Sequence, residues 1–176
     1  MAKKREYKKW SQQQYTHGAI WSIIAEALVG NNNQAFEYLK MINPIEHSKD
    51  MVSANKYMIE PYVIAADIYS NIDMYGQGGW SWYTGSAGWY YICLIKYILG
   101  IIIENHKLRF EPHVPNYWNE CSITIKLGGS VYNIKLKNKS GNFEEIYEVI
   151  LDGKIIENKL IELNHNNQIH NVEVIM

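Results

Sequence analysis

Between Gly78 and Trp89 the sequence reads Gly78-Gly79-Trp80-Ser81-Trp82-Tyr83-Thr84-Gly85-Ser86-Ala87-Gly88-Trp89, a dense mixture of indoles, a phenol, hydroxyls and glycines. Such a mixture suits a sugar. Flat aromatic faces pack against the apolar faces of a pyranose and can offer a polar edge. Trp80, Trp82 and Tyr83 are therefore candidate sugar contacts. Thr84, Gly85 and Ser86 fall at the predicted start of a helix. Free backbone N–H groups and the helix dipole there make an anion site, with Thr84 and Gly85 as its candidate residues. The alternative is a tight aromatic turn that only packs helices, and residue chemistry leaves both open.

A second candidate is Tyr15-Thr16-His17-Gly18, where His17 stands just before a predicted helix and could donate to an anion. A lone histidine is more often structural. Glu60 and Asp67, on or beside a predicted third helix, could form an acid pair, although such residues more often cap a helix or hold an arginine. The histidines His47, His106, His113, His165 and His170 show no metal-ligand spacing, so no metal is expected. No phosphate loop, dinucleotide fingerprint, zinc-protease or nucleophile-elbow motif occurs.

The elements that must position these residues change character half-way along the chain. Ile20, Ile23, Ile24, Ala27 and Leu28 give a first helix its apolar face, ended by Gly30 and the asparagines after it. Ala35, Leu39 and Ile42 mark a second helix, closed by Asn43-Pro44. Pro61 suits the first turn of a third, with Tyr62, Ala65, Ala66 and Tyr69 on one face. A fourth, from about Ser86 to Leu99, is apolar nearly all round, which places it inside something large. From about Leu108 the period falls to two. Ile123, Ile125 and Leu127 alternate with polar residues and lead into Gly128-Gly129, a hairpin signal; Tyr132, Ile134 and Leu136 return. Tyr147, Val149 and Leu151 precede Asp152-Gly153, a second such signal, and Ile161, Leu163, Val172 and Val174 supply the last strands. The layout is α+β, with helices first and an antiparallel sandwich after them.

The chain has 176 residues, 47% hydrophobic and 20% charged, with a formal net charge of −1. That balance is globular and gives no field for nucleic acid. Cys93 and Cys121 are too few for a disulfide scaffold and read as buried thiols. The greasiest stretch, Trp89 to Ile103, falls short of the roughly 20 residues that span a bilayer. With no apolar run behind the basic head Lys3, Lys4, Arg5, Lys8 and Lys9, a cytoplasmic chain with no membrane partner is expected.

At the residues already singled out, the sequence resembles a family. Gln14-Tyr15-Thr16-His17, Asn43-Pro44-Ile45, Glu60-Pro61-Tyr62-Val63 and, most specifically, the block from Trp82 to Trp89 resemble the C-terminal region of inverting β-glucoside phosphorylases, which include cellobiose and chitobiose phosphorylases. The nearest look is to the phosphorylase-like end of cyclic β-1,2-glucan synthases and to β-1,2-oligoglucan phosphorylases. The resemblance runs from Gln14 to about Pro115 and more loosely to Met176. Behind a basic tail over 1–13, read from its lysines and arginine, it implies the last helices of an (α/α)6 barrel over 14–104 and a small jelly-roll-like β-sandwich over 105–176. It also implies a reaction in which inorganic phosphate, as co-substrate and with no other cofactor, attacks the anomeric carbon. The partners implied are a β-glucan or glucose 1-phosphate. His17 and Thr84 match the family's phosphate contacts. A further family contact, a glutamine, falls near Ala66 or Asp67 and is not kept in kind.

The sequence departs from the family in what it lacks. The general acid, an aspartate in an upstream Asp-Trp-Asn-Asp-like motif, has no counterpart here; nor does the upstream phosphate-binding arginine. Trp10-Ser11-Gln12-Gln13 replaces the usual glycines. On this resemblance the chain starts inside the barrel, carries no catalytic residue of its own and is inactive alone. Uncovered helices would then seek an upstream barrel half or a second copy. The competing readings are a non-catalytic carbohydrate-binding or interaction module on the sheet, using Trp118, Tyr132, Phe143 and Tyr147, and an inert gene remnant.

Overall fold

The computed structural model describes residues 13–139 and 146–176. The basic residues of the head and Phe143 lie outside them. The chain divides between Leu94 and Ile95 into two compact units.

In the first unit a short strand β1 (Gln13–Tyr15) runs directly into helix α1 (Thr16–Leu28). Ile20, Ile23 and Ala27 are fully buried along one face, as their spacing requires, whereas Leu28, expected on the same face, is exposed in the last turn. Gly30, at φ +86°, closes α1. Its amide reaches the Ala27 carbonyl and the Asn31 amide reaches that of Glu26, a Schellman pair that uses up two orphan carbonyls. Helix α2 (Asn32–Met41) buries Ala35 and Leu39, and Ile42 is buried just past its end. The Asn43 side chain caps α3 (Pro44–His47), accepting from the Ile45 amide at 3.0 Å, with Pro44 in the first turn.

The expected helix at Pro61 does not form. Residues 63–66 form no regular element and lead into strand β2 (Asp67–Tyr69), which pairs antiparallel with β1 on one side and with β3 (Gly78–Gly79) on the other. Val63, Ile64, Ala65 and Ala66 are all buried. Four consecutive buried residues leave no polar face, so the spacing of Tyr62, Ala65, Ala66 and Tyr69 did not describe a helix stripe. The helix that does form is α4 (Met51–Tyr57), capped by Asp50, whose carboxylate takes the Ser53 amide at 2.8 Å. With only Tyr57 buried, its seven residues carried no periodic signal. Helix α5 (Thr84–Ile92) continues as a π-helical turn, Cys93–Ile98.

The second unit contains β4 (Ile101–Glu104), β5 (Lys107–Phe110), β6 (Glu120–Leu127), β7 (Ser130–Lys137), β8 (Glu148–Leu151), β9 (Lys154–Ile155), β10 (Ile161–Glu162) and β11 (Ile169–Ile175). Gly128-Gly129, at φ +52° and +86°, and Asp152-Gly153, at +49° and +80°, make the two-residue hairpins their dipeptides signal. A third such hairpin, Asn105-His106, joins β4 to β5 without glycine. Residues 101–104, expected in the helical part, thus form a strand. Gly100 permits the change, because a side chain there would collide with the Glu111 backbone.

The strands form a three-stranded sheet, β10-β5-β4, and a five-stranded one, β6-β7-β11-β8-β9. The expected all-antiparallel arrangement fails at one place, where β11 runs parallel to β7. The return loop explains this. The amide of Asn164 donates to the Tyr132 hydroxyl at 2.8 Å and that of Asn166 to the Ser130 hydroxyl at 3.0 Å. The loop is tied to the first residues of β7, so β11 starts beside them and runs the same way. The α+β class holds.

Candidate functional site

The site residues lie where β1 meets α1 and where α5 begins. The Thr16 amide bonds the Ala66 carbonyl at 2.9 Å, and Thr16 is buried, which fixes the first turn of α1 and places His17. His17 Nδ1 lies 3.1 Å from the hydroxyl of Ser86, a fully buried residue in the first turn of α5. Its other nitrogen, Nε2, would stand 3.3 Å from a Cβ at Gly85, a contact tighter than side chains ordinarily make. Sequence positions 69 apart are thereby brought together. The first helical bond of α5 runs from the Ala87 amide to the Tyr83 carbonyl, so the Thr84, Gly85 and Ser86 amides have no intrahelical acceptor. An imidazole at the first turn of a helix with free amides is an arrangement that can hold an oxyanion.

Aromatic rings enclose the imidazole. Tyr15 stacks on it with centroids 5.2 Å apart, and Tyr83 and Trp21 meet it edge-on at 5.4 and 6.3 Å. The Tyr15 hydroxyl is hydrogen-bonded to that of Tyr83, which raises the Tyr15 pKa. Trp80 packs against Tyr83 at 5.7 Å, and Tyr62 meets Trp82 edge-on. Trp80 and Trp82 are 76% and 62% exposed, yet both have left-handed backbone, at φ +40° and +59°. Bulky residues avoid that region, and holding one there costs about 1–3 kcal/mol. Strain that presents two indoles to solvent is not repaid by burial.

Glu60 lies in the loop before Pro61 and accepts from Trp82 Nε1 at 3.0 Å. Its own backbone amide, and then Trp82, hold its carboxyl below the usual range. Asp67 is in strand β2, opposite Tyr15 and Gly79, and burial pushes its pKa up. A side chain at Gly79 would overlap the Asp67 carboxylate. The third helix that Glu60 and Asp67 were expected to lie on or beside is absent, so neither caps it. Tyr15 and Ser86, which contact His17, lie within the two candidate segments, but no binding role was assigned to either side chain; the adjacency of Tyr15 and His17 in sequence was the available signal.

A cavity of about 360 Å³ lies elsewhere in this unit, lined by Gln14, His47, Tyr57, Ile68 and Tyr75 among others. Gln14 and Ile68 alternate along their strands with Tyr15 and Asp67, so the cavity does not include His17 or Thr84. Among the described residues no group of three or more His, Cys, Asp or Glu could hold a metal, and no helix is long and apolar enough to cross a membrane. Cys93 is buried, which pushes its thiol up to about 12; Cys121 is half-buried, and neither is bridged.

Known proteins share this segment. The family described as "Glycosyl hydrolase 94 superfamily, catalytic domain" matches residues 5–100, more than half of the chain. The cyclic beta-(1,2)-glucan synthase NdvB of Rhizobium meliloti (strain 1021) is 39% identical over 136 residues, covering 77% of this chain and 5% of that protein. Solabiose phosphorylase of Paenibacillus borealis is 28% identical over 169 residues, 92% of this chain and 21% of the relative. N,N'-diacetylchitobiose phosphorylase of Vibrio furnissii is 25% identical over 144 residues, 81% and 18% respectively. The chain therefore spans between about a twentieth and a fifth of the length of these relatives. With more than half of its residues matched and a relative 39% identical over most of its length, the chain belongs to the glycosyl hydrolase 94 superfamily.

Proposed function

We propose that the chain is the C-terminal portion of a glycoside phosphorylase or glycosyltransferase acting on β-glucans, and that it supplies part of a phosphate and sugar pocket without turning over substrate alone. The observation that carries this reading is the placement of His17 beside Gly85 and Ser86 at the start of α5. His17, the Thr84 hydroxyl and the amides of Thr84 and Gly85 bind inorganic phosphate. Trp80, Trp82 and Tyr83 flank the sugar. In the full reaction a phosphate oxygen attacks the anomeric carbon and the glycosidic C–O bond breaks. A carboxylic acid outside these residues protonates the leaving oxygen. Glu60 is a poor substitute, since its hydrogen bonds favour the charged form.

The helical unit is, on this proposal, the last part of an (α/α)6 barrel in a cytoplasmic enzyme. The exposure of Trp21, Tyr91 and Ile92 on its helices supports the idea that an upstream half or a second copy covers them. Sedimentation showing a strict monomer at high concentration would argue against the second copy. The competing reading, a carbohydrate-binding sheet, has less support. Of its residues, Tyr132 is buried and so unavailable to a ligand, Tyr147 is exposed, and Phe143 lies outside the described residues.

The test is a phosphate-release and sugar 1-phosphate assay on several β-linked glucans, with and without an added upstream half. A general acid contributes about 10²–10⁴-fold, so the chain alone is expected to be silent and the complemented one active. Phosphate binding to the chain alone should weaken about fivefold in His17→Ala and in Thr84→Val, the worth of one hydrogen bond each. Turnover by the chain alone that Asp67→Asn abolishes would overturn the proposal and make Asp67 the acid.

A further inference from the structure

The Ser86 hydroxyl has one job that the proposed pocket does not yet explain. Ser86 is fully buried, and its Oγ has a single hydrogen-bond partner, His17 Nδ1, at 3.1 Å. A hydroxyl carries one proton to donate and can also accept. Two arrangements satisfy the distance. If Nδ1 carried the ring proton and donated to Ser86, the Ser86 proton would be left in a buried place with no acceptor. Buried donors without acceptors are rare because they forfeit their hydration. If Ser86 donates to Nδ1 instead, both groups are satisfied and the neutral ring must carry its proton on Nε2.

Nε2 is the nitrogen beside Gly85. We infer that Ser86 is a positioning residue: by donating to Nδ1 it places the proton of neutral His17 on Nε2, where it faces the start of α5 as a hydrogen-bond donor. Tyr15 stacks on the imidazole and Tyr83 meets it edge-on, which restrains the ring in this orientation. Gly85 completes the arrangement, since a Cβ would crowd Nε2 at 3.3 Å. The donor set is then an imidazole N–H together with the backbone amides of Thr84 and Gly85. It selects a ligand that offers only acceptors, such as a phosphate oxygen, without requiring a charged imidazolium. This rests on the phosphate reading for its ligand but not for its tautomer.

The full chain, labelled with ¹⁵N-histidine, tests it by long-range ¹H–¹⁵N spectra at a pH where His17 is neutral, followed by titration with inorganic phosphate. The expected result is an unprotonated Nδ1 and a protonated Nε2 in the wild type. In Ser86→Ala the preference should collapse toward a mixture and phosphate affinity should fall about fivefold, one hydrogen bond's worth. Ser86→Thr, which keeps the hydroxyl, should restore both; it also guards against a folding defect in the alanine variant. A wild-type Nδ1 proton, or a tautomer unchanged in folded Ser86→Ala, would overturn the inference. The expected tautomer in a chain that binds no phosphate would uphold the role of Ser86 and sink the phosphate reading.

Discussion

Buried polar groups fare differently in the two units. In residues 95–176 the Ser130 and Tyr132 hydroxyls share the Asn164 carbonyl, and the buried His170 ring bonds Asp152 at 2.8 Å and Asn166 at 3.1 Å. In the first unit, Gln14 Nε2, Asn32 Oδ1, Ser48 Oγ and the Tyr57 hydroxyl are buried without a partner. They are the only such side-chain atoms among the described residues. For Tyr57 the Ala65 amide approaches the phenol electrostatically without the geometry of a hydrogen bond. The same unit holds the strained, exposed indoles Trp80 and Trp82. A region that satisfies its own polar groups is a scaffold. A region that leaves them open and holds strain is the one to which the proposal above assigns the chemistry.

The largest expected effect separates the two units by stability. Leu136, 1% exposed, is part of the sheet core, and Leu136→Ala should cost about 2–5 kcal/mol in urea unfolding. Trp80→Ala, at an exposed position, should change stability by less than about 1 kcal/mol while lowering affinity for β-glucan oligosaccharides. An equal loss of stability in both would erase the contrast.

A smaller effect compares two buried phenols. Tyr132→Phe removes a hydroxyl that accepts from the Asn164 amide and donates to its carbonyl, and should cost about 1 kcal/mol. Tyr57→Phe removes a hydroxyl with no partner and should be neutral or stabilising. Equal destabilisation in the two variants would mean that the Tyr57 hydroxyl is satisfied.

The smallest effect is a pH dependence. Burial raises the Asp67 pKa in the folded chain, so the fold binds that proton more tightly than the unfolded chain does. The contribution of Asp67 is therefore most favourable below the ordinary carboxylate range and is lost as pH rises through the raised value. Asp67→Asn should lessen this loss, making the variant relatively more stable at neutral pH than at pH 3. Unfolding midpoints of both chains across that range would check it, and a variant that gains nothing at neutral pH would contradict the sign.

The sequence by itself determined what depends on neighbours along the chain. The α1 stripe, the Schellman end at Gly30 and the hairpins at Gly128-Gly129 and Asp152-Gly153 all follow from local spacing and backbone freedom. His17 and Thr84 stood out by residue type at predicted helix starts, and their assignment as phosphate contacts came from the family resemblance. Tertiary structure alone decided the rest. Whether 61–69 would coil or extend depended on β1 and β3 being available to pair with β2, and extended backbone is chosen by such partners. The parallel run of β11 beside β7 depended on loop bonds made 32 and 36 residues away in sequence. The site was decided the same way. Only folding across 69 residues sets Ser86 against His17, and a hydrogen bond between side chains depends on distance and direction, which spacing along the chain does not encode.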